Sequence, residues 1–364
     1  MGRYGQGVVS ESGGASGSST PYLVIGCYTL GHGGMGAGLV VVERDQATGE
    51  LWLAGPTQAT QSPSFVVRHP TRPVLYAVNE LVEGAVSAFG MDGGGNLRHW
   101  GTWPTGGADP CHLAVSPDGR RLVVANYAVD VGRGGVAAFA LDEEGRPTGR
   151  TDLVEHDGCG PDPVRQRNAH AHEVVATNDA VTAVDLGMDT VLRYWPDPTT
   201  GKLGTGHRLV TLPPGTGPRH FTTGPDGTIY LVGELAGTVT VLQPGEREWV
   251  ERATVPSRAE AGSGNAPSEV AVTADGRWLY VANRGPSTIA VFSLQEGTPR
   301  FVGEVPTGGV WPRHFLLIDD FLYVANERSH TVTVLRIDPD TGLPAPAADV
   351  FASPSPTCLL PLRF

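Results

Sequence analysis

The stretch Pro110-Cys-His-Leu-Ala-Val-Ser-Pro-Asp-Gly119 joins a proline-led slot, a short apolar run and a tight-turn signal. The chain returns to that pattern at Pro63 (PSFVVRHP), His170 (HAHEVVATND), Pro218 (PRHFTTGPDG), Pro267 (PSEVAVTADG), Pro312 (PRHFLLIDD) and Pro356 (PTCLLPLRF). These copies are spaced by 47, 60, 48, 49, 45 and 44 residues, and only the second interval carries a sizeable insertion. A period near 45 with several short strands per unit is the signature of a β-propeller, in which each repeat buries its faces against its neighbours. Seven copies predict seven blades.

Each unit reads as four strands. The first follows the slot and ends, in several copies, at an Asp-Gly pair that favours a tight hairpin. The second is a run of the Leu-Tyr-Val-Ala-Asn type at 75–80, 122–127, 181–186, 229–234, 279–284 and 322–327. The third is of the Gly-Thr-Val-Thr-Val type, as at 237–242, and the fourth is the least regular. The N-terminal part opens on a second-strand copy (22–27) followed by third- and fourth-strand copies, while the C-terminus finishes on a first-strand copy (358–362). One blade is therefore expected to join three N-terminal strands to one C-terminal strand, leaving the ring no free edge. The expected fold class is all-β, a seven-bladed propeller of four-stranded blades forming a single domain over residues 21–364.

Composition fits this reading and narrows the partners. The 50 glycines and 30 prolines among 364 residues argue for many turns and against long helices. With 26 basic against 38 acidic residues the net charge is −12, which argues against a nucleic-acid or anionic-membrane partner, since both demand a basic face. An anionic small molecule is compatible if arginines gather in one pocket. Cys27, Cys111, Cys159 and Cys358 have no CxxC spacing, so they read as reduced thiols of a cytoplasmic protein. Residues 1–20 are Gly/Ser-rich and lack the apolar stretch of a secretory signal. They are expected to form a disordered leader, with a cytoplasmic location and a monomeric state as defaults.

Functional residues follow from the topology. In a propeller the first strand of each blade lines the central channel, and the start of strand one and the end of strand two lie at the same end of the ring. The starts supply Phe65, His112, His172, His220, Glu269, His314 and Cys358, with Arg219 and Arg313 one position earlier. The ends supply Glu80, Tyr127, Glu234, Arg284 and Glu327, with Asp185 a step before. Any one of these groups is explained by a tie between blades. A whole set of imidazoles, guanidiniums and carboxylates converging on one channel mouth points to a site. Asn79, Asn126, Asn283 and Asn326 recur at one register and read as a repeated structural hydrogen bond.

Other motifs are weaker. Gly31-His-Gly-Gly-Met-Gly36 matches GxGxxG but has no helix to follow, and no GxSxG elbow is present. His170-x-His172 is compatible with a metal pair, with His220, Asp185 or Glu234 as third ligand. The reading adopted is instead two histidines in acid–base and substrate-binding roles, with no metal and no cofactor.

With these residues in view, the chain resembles the seven-bladed propeller lactonases, the family of bacterial propeller-type 6-phosphogluconolactonase and of fungal carboxymuconate lactonizing enzymes. The matching motifs are Leu75-Tyr-Ala-Val-Asn-Glu80, Pro110-Cys-His-Leu-Ala-Val115, Arg165-Gln-Arg-Asn-Ala-His-Ala-His172, Asp185-Leu-Gly-Met-Asp189, Gly217-Pro-Arg-His220, Tyr280-Val-Ala-Asn-Arg284 and Pro312-Arg-His-Phe315. They span nearly all the chain after residue 20. The resemblance implies hydrolysis of a sugar-acid lactone, 6-phosphogluconolactone to 6-phosphogluconate, in the pentose phosphate pathway. It also implies His172, Arg219, Glu234 and Arg284 as the catalytic set. Gly233 departs from the asparagine expected before that glutamate.

Around this set, His170, His220, Arg167, His112, Glu80, Arg313 and His314 are expected to contact a small anionic lactone. His172 would act as base, Arg219 and Arg284 would hold an anionic group or the oxyanion, and Glu234 would orient them or take the proton itself. Two alternatives share the residues. A muconate-type cyclase or lyase would use the same base, and a non-catalytic binding propeller would show exposed rim aromatics and leave His172 and Arg219 unburied.

Overall fold

The repeats fold as seven antiparallel sheets arranged as the blades of a propeller. The computed structural model describes residues 21–362, apart from 130, 131, 133, 246, 260–263, 347 and 348. The expected leader lies outside the described residues. Blades 1 to 6 begin with inner strands Val66–Arg68, Pro110–Val115, Ala171–Ala176, Pro218–Thr223, Pro267–Val272 and Pro312–Ile318. Blade 7 is composite. Its inner strand Pro356–Leu362 pairs with Tyr22–Cys27, which pairs in turn with Gly38–Arg44 and through it with Leu51–Leu53. The expected closure by one C-terminal and three N-terminal strands is what the chain adopts.

The core sits between blades. Seven apolar clusters are found, one at each blade junction, and each takes residues from both neighbouring sheets. At the closing junction, for example, Leu23, Ile25 and Leu359 of blade 7 meet Leu316, Tyr323 and Val334 of blade 6. The inner three strands of a blade are therefore apolar on both faces, as VLYAVN at Val74–Asn79 illustrates. Only the outer strand alternates toward solvent, as the half-buried and exposed positions of DVFA at Asp349–Ala352 show, which is why its sequence is the least regular.

Two local features position the site. First, the second strands end one residue earlier than their sequence runs suggest, at Asn79, Asn126, Asp185, Gly233, Asn283 and Asn326. Glu80, Tyr127, Glu234, Arg284 and Glu327 consequently open the following loops, free of the ladder. Second, the inner strand carries a pairing irregularity at its start in six blades. In blade 4, Pro218 pairs with Gly233 and Phe221 with Leu231, so Arg219 and His220 together oppose one residue. Such a bulge turns the strand and re-aims side chains. It lets Arg219 meet the loop after strand two while the neighbouring His220 joins the channel.

The repeated asparagines take individual partners. Asn79 donates to the Gln61 carbonyl at 2.6 Å and Asn283 to the Ser257 carbonyl at 3.0 Å, each tying a strand end to a neighbouring loop. Asn326 bonds Thr333 Oγ1 at 3.0 Å, whereas the Asn126 amide packs beside Gly107 without a hydrogen-bond partner among the described residues.

Because closure rests on apolar packing across the composite blade, Leu360→Ala is expected to cost about 2–5 kcal/mol, the range for truncating a fully buried leucine. Val350→Ala, on the exposed outer strand of blade 6, is expected to stay within about 0.5 kcal/mol. Urea denaturation of both variants measures the difference.

Candidate active site

At the mouth defined by the starts of strand one and the ends of strand two lies a cleft of about 630 Å³. Glu234 sits on its wall at the centre of a cluster of guanidiniums. Arg284 Nη2 lies 2.5 Å and Arg219 Nε 3.2 Å from Glu234 Oε2, and Arg165 Nη2 donates to Oε1 at 2.6 Å. Both nitrogens on Oε2 are buried against that carboxylate oxygen. Arg284 is held by its Nε–H donating to the Ala266 carbonyl at 3.0 Å, and Arg219 by donation to the Ser268 carbonyl.

Burial alone would push the Glu234 carboxyl up, but Arg284, Arg165 and Arg219 outweigh it and hold it well below the usual carboxylate range. Arg219 is fully enclosed, and burial followed by the like charge of Arg284 pushes it down to about 10. It remains charged at neutral pH. Three guanidiniums this close repel one another, and one buried carboxylate is what holds them together.

A second cluster faces it. Tyr28 donates to Glu80 Oε1 at 2.8 Å and accepts from Arg313, which also lies 3.6 Å from Glu327 and 3.9 Å from Glu80. His32 stacks on Tyr28 with ring centroids 4.3 Å apart. Burial raises the Tyr28 phenol well above its ordinary value, so it stays a donor. Around the whole mouth, Arg165, Arg219, Arg284, Arg313 and Arg328 stand against Glu80, Glu234 and Glu327. Five guanidiniums against three carboxylates leave a cationic cleft on an anionic protein.

Below the cleft the channel is filled by rings. His112 lies 4.1 Å from Phe65 and 5.2 Å from His220 by ring centroids, and His172 lies 5.1 Å from His220. His314 stands edge-on to Phe65 at 5.7 Å. Glu269 takes His220 Nδ1 at 3.0 Å and lies 3.5 Å from His314 Nε2. His112, His172, His220 and His314 are all held neutral, first by burial and then largely by the nearby arginines and one another. Burial likewise raises the carboxyls of Glu173 and Glu269. His172 is 6% exposed and its Nδ1 has no hydrogen-bond partner among the described residues.

The structure thus distributes the sequence-derived candidates over three levels. Glu234, Arg284 and Arg313 line the cleft, with Arg219 and Glu80 directly behind them. His172, His112, His220 and His314 lie deeper in the channel. His170 and Arg167 stand apart. His170 is buried, donates through Nδ1–H to the Tyr127 carbonyl (2.7 Å) and stacks on the Tyr127 ring. Arg167 is exposed, and Arg165 occupies the cleft in its place.

The cause of that exchange is Gln166 between them. Its buried amide donates to the Leu186 carbonyl and to Asp189 Oδ1, both at 2.8 Å, and so pins the inserted loop before blade 3. Arg165 falls on the cleft side of this anchor. The long 60-residue interval was the signal for such an insertion.

Asp185 also leaves the site. It accepts from His156 at 2.6 Å and from the His170 and Met188 backbone, a structural junction completed by Tyr194 on His156. Among the described residues no three His, Cys, Asp or Glu side chains are grouped to hold a metal ion. Tyr28, His32, Arg328 and His330 line the cleft without having been singled out. The Gly31–Gly36 motif is a short 3-10 turn and loop that carries His32 to the rim.

Fold and site together define a ring-closed, seven-bladed propeller with a cationic, arginine-lined mouth. The family model for lactonase, 7-bladed β-propeller, matches residues 22–361, and the chain belongs to that family. The 6-phosphogluconolactonase of Bacillus subtilis is 31% identical over 93% of this chain and 98% of its own length. A 6-phosphogluconolactonase of Formosa agariphila is 28% identical over 84% and 90%. Among solved structures, the periplasmic gluconolactonase of Pseudomonas aeruginosa superposes with a TM-score of 0.85 at 30% identity, covering 93% of this chain and 98% of that one.

Two outcomes test this electrostatic layout. Glu234→Gln leaves three guanidiniums uncompensated and is expected to destabilise the protein by about 3–5 kcal/mol, as breaking a buried pair does; denaturant unfolding measures it. The channel histidines have folded pKa values below the unfolded value near 6.5, so the unfolded chain binds more protons as pH falls. Their contribution is therefore complete above about pH 6.5 and is lost on acidification, by up to about 1.4 kcal/mol per histidine per pH unit. Glu173 and Glu269 act in the opposite sense, losing stability as pH rises through their raised values. The thermal midpoint should drop clearly between pH 7 and pH 5, and a flat profile would show that the histidines titrate normally.

Proposed function

We propose that this member of the lactonase family hydrolyses a sugar-acid lactone, with 6-phosphogluconolactone the first substrate to test. The observation that carries the reading is the cleft itself, where guanidiniums outnumber carboxylates while the whole chain carries a charge of −12. Such a mouth selects a small anion against the field of the rest of the surface. The Bacillus and Formosa relatives, both named 6-phosphogluconolactonase, agree with it.

Opening a lactone requires water, a base for its proton and donors for the oxyanion that forms on the carbonyl oxygen. Arg284 on the cleft wall and Arg219 behind it supply positive charge beside Glu234, suited to that oxyanion. Glu234 is a poor proton acceptor because three guanidiniums stabilise its ionised form. Its role is to gather and aim the arginines. His172 is the better base: its imidazole is neutral, its Nδ1 has no hydrogen-bond partner among the described residues, and it is near enough to Arg219 and Arg284 to feel their charge. The proton would pass from the attacking water to His172 and then to the alkoxide of the opened ring, leaving a carboxylate and a hydroxyl. A non-catalytic binding mouth predicted unburied His172 and Arg219, and they are 6% and 3% exposed.

His172→Ala is expected to lose about 10²–10⁴-fold in kcat, the usual contribution of a positioned base, with its unfolding midpoint retained. Because burial and the nearby arginines depress the His172 pKa, the acidic limb of kcat/KM should lie below the value of about 6.5 for a free imidazole. Product formation from 6-phosphogluconolactone, gluconolactone and a carboxymuconolactone measures activity and substrate class together. Near-normal turnover by folded His172→Ala would remove His172 from the base role.

A further inference from the structure

Four of the five arginines at the mouth are matched to carboxylates: Arg165, Arg219 and Arg284 to Glu234, and Arg313 to Glu80 and Glu327. Arg328 is different. Among the described residues its guanidinium meets no carboxylate and lies over Trp311, 3.4 Å from the ring centroid. Stacking of this kind fixes a guanidinium in place while leaving its N–H edge available to a two-pronged oxyanion. Arg328 and Trp311 both line the cleft.

Trp311 is held there against backbone preference. In five blades the residue before the slot proline takes a left-handed conformation: Ser62 (φ 37°), Asp109 (49°), Gly217 (57°), Trp311 (67°) and Ser355 (47°). Four of the five are small or short polar residues, which tolerate that region best, whereas a bulky aromatic is an outlier. Strain retained at a cleft wall is a pointer to function. The indole also receives Arg284, 5.4 Å from its centroid, so it stands between the buried arginine cluster and the rim arginine.

His330 completes the wall. It lies two residues beyond Arg328 in the same loop, and its Nδ1 accepts the Ser355 N–H at 3.0 Å. An accepting Nδ1 in a neutral imidazole places the proton on Nε2, which makes His330 a hydrogen-bond donor without needing a charge.

We propose that Arg328, stacked on Trp311, and the His330 Nε2–H form a subsite for a dianionic phosphate on the substrate. The Glu234 cluster is thereby left to the lactone end. The assignment rests on the lactonase reading of the same cleft and adds which residues tell a phosphorylated sugar lactone from its unphosphorylated counterpart. Arg328 confers this selectivity; it takes no part in the proton transfers.

The test is the kcat/KM ratio for 6-phosphogluconolactone over gluconolactone, in wild type and in Arg328→Ala. Arg328 is exposed and has no ion pair among the described residues, so the variant is expected to fold. Removing it should lower the ratio roughly ten- to a hundred-fold, the span of charge-assisted hydrogen bonds, mainly through KM for the phosphorylated substrate. Arg328→Lys should recover part of the loss. An unchanged ratio in Arg328→Ala, or a wild type that turns over gluconolactone but not its phosphate ester, would overturn the subsite.

If wild type opens no lactone at all, it is the hydrolase reading that fails. Calorimetric titration with 6-phosphogluconate then judges the subsite independently: weaker binding to Arg328→Ala than to wild type supports it, and equal binding or none sinks it.

Discussion

At the start of the inner strand, in six of the seven blades, two residues oppose one residue of the neighbouring strand. A regular strand sends successive side chains to opposite faces of the sheet, into one blade junction and then the other. Both faces here are already apolar core, and neither has room for a charge. The bulge breaks that alternation where the sheet reaches the channel mouth. It supplies a position from which a guanidinium such as Arg219 reaches the cleft and an imidazole such as His220 turns into the channel. The geometry of the cleft, the channel stack and the paired second-strand ends all follow from this repeated departure.

Electrostatics then determines which groups stay charged. Near the solvent the arginines are many enough to attract an anion, and one carboxylate, Glu234, keeps three of them from flying apart. A few ångströms deeper the same positive field and the loss of water keep four imidazoles neutral. A layer of fixed cations over a layer of neutral bases suits a reaction in which charge develops on a carbonyl oxygen while a proton is drawn from water.

The repeat made most of this arrangement legible. The spacing of the slots identified seven blades, the composite closing blade and the level of the channel at which His172, His220 and His314 would meet. Reading failed where local detail overrode the register. Asp185 looked like a mouth carboxylate but is consumed by His156 and two backbone amides. Arg167 was preferred over Arg165, because nothing in the local sequence reveals that Gln166 anchors the loop between them. His170 and His172, two residues apart, seemed fit to share a pocket. Both rings do meet Tyr127, His170 stacked on it and His172 edge-on, but only His172 also meets the channel ring of His220.

Sequence alone determined the architecture, the closure of the ring and the chemical types gathered at its mouth, because periodic burial imposes a pattern that is written in every repeat. The tertiary structure decided which of those groups touch. It matched Glu234 with three arginines from separate parts of the chain, left Arg328 without a carboxylate among the described residues, and set Trp311 against it in a strained backbone. Contacts of this kind depend on side-chain direction at loops and bulges, where no periodicity operates and where a single anchoring hydrogen bond redirects a neighbour.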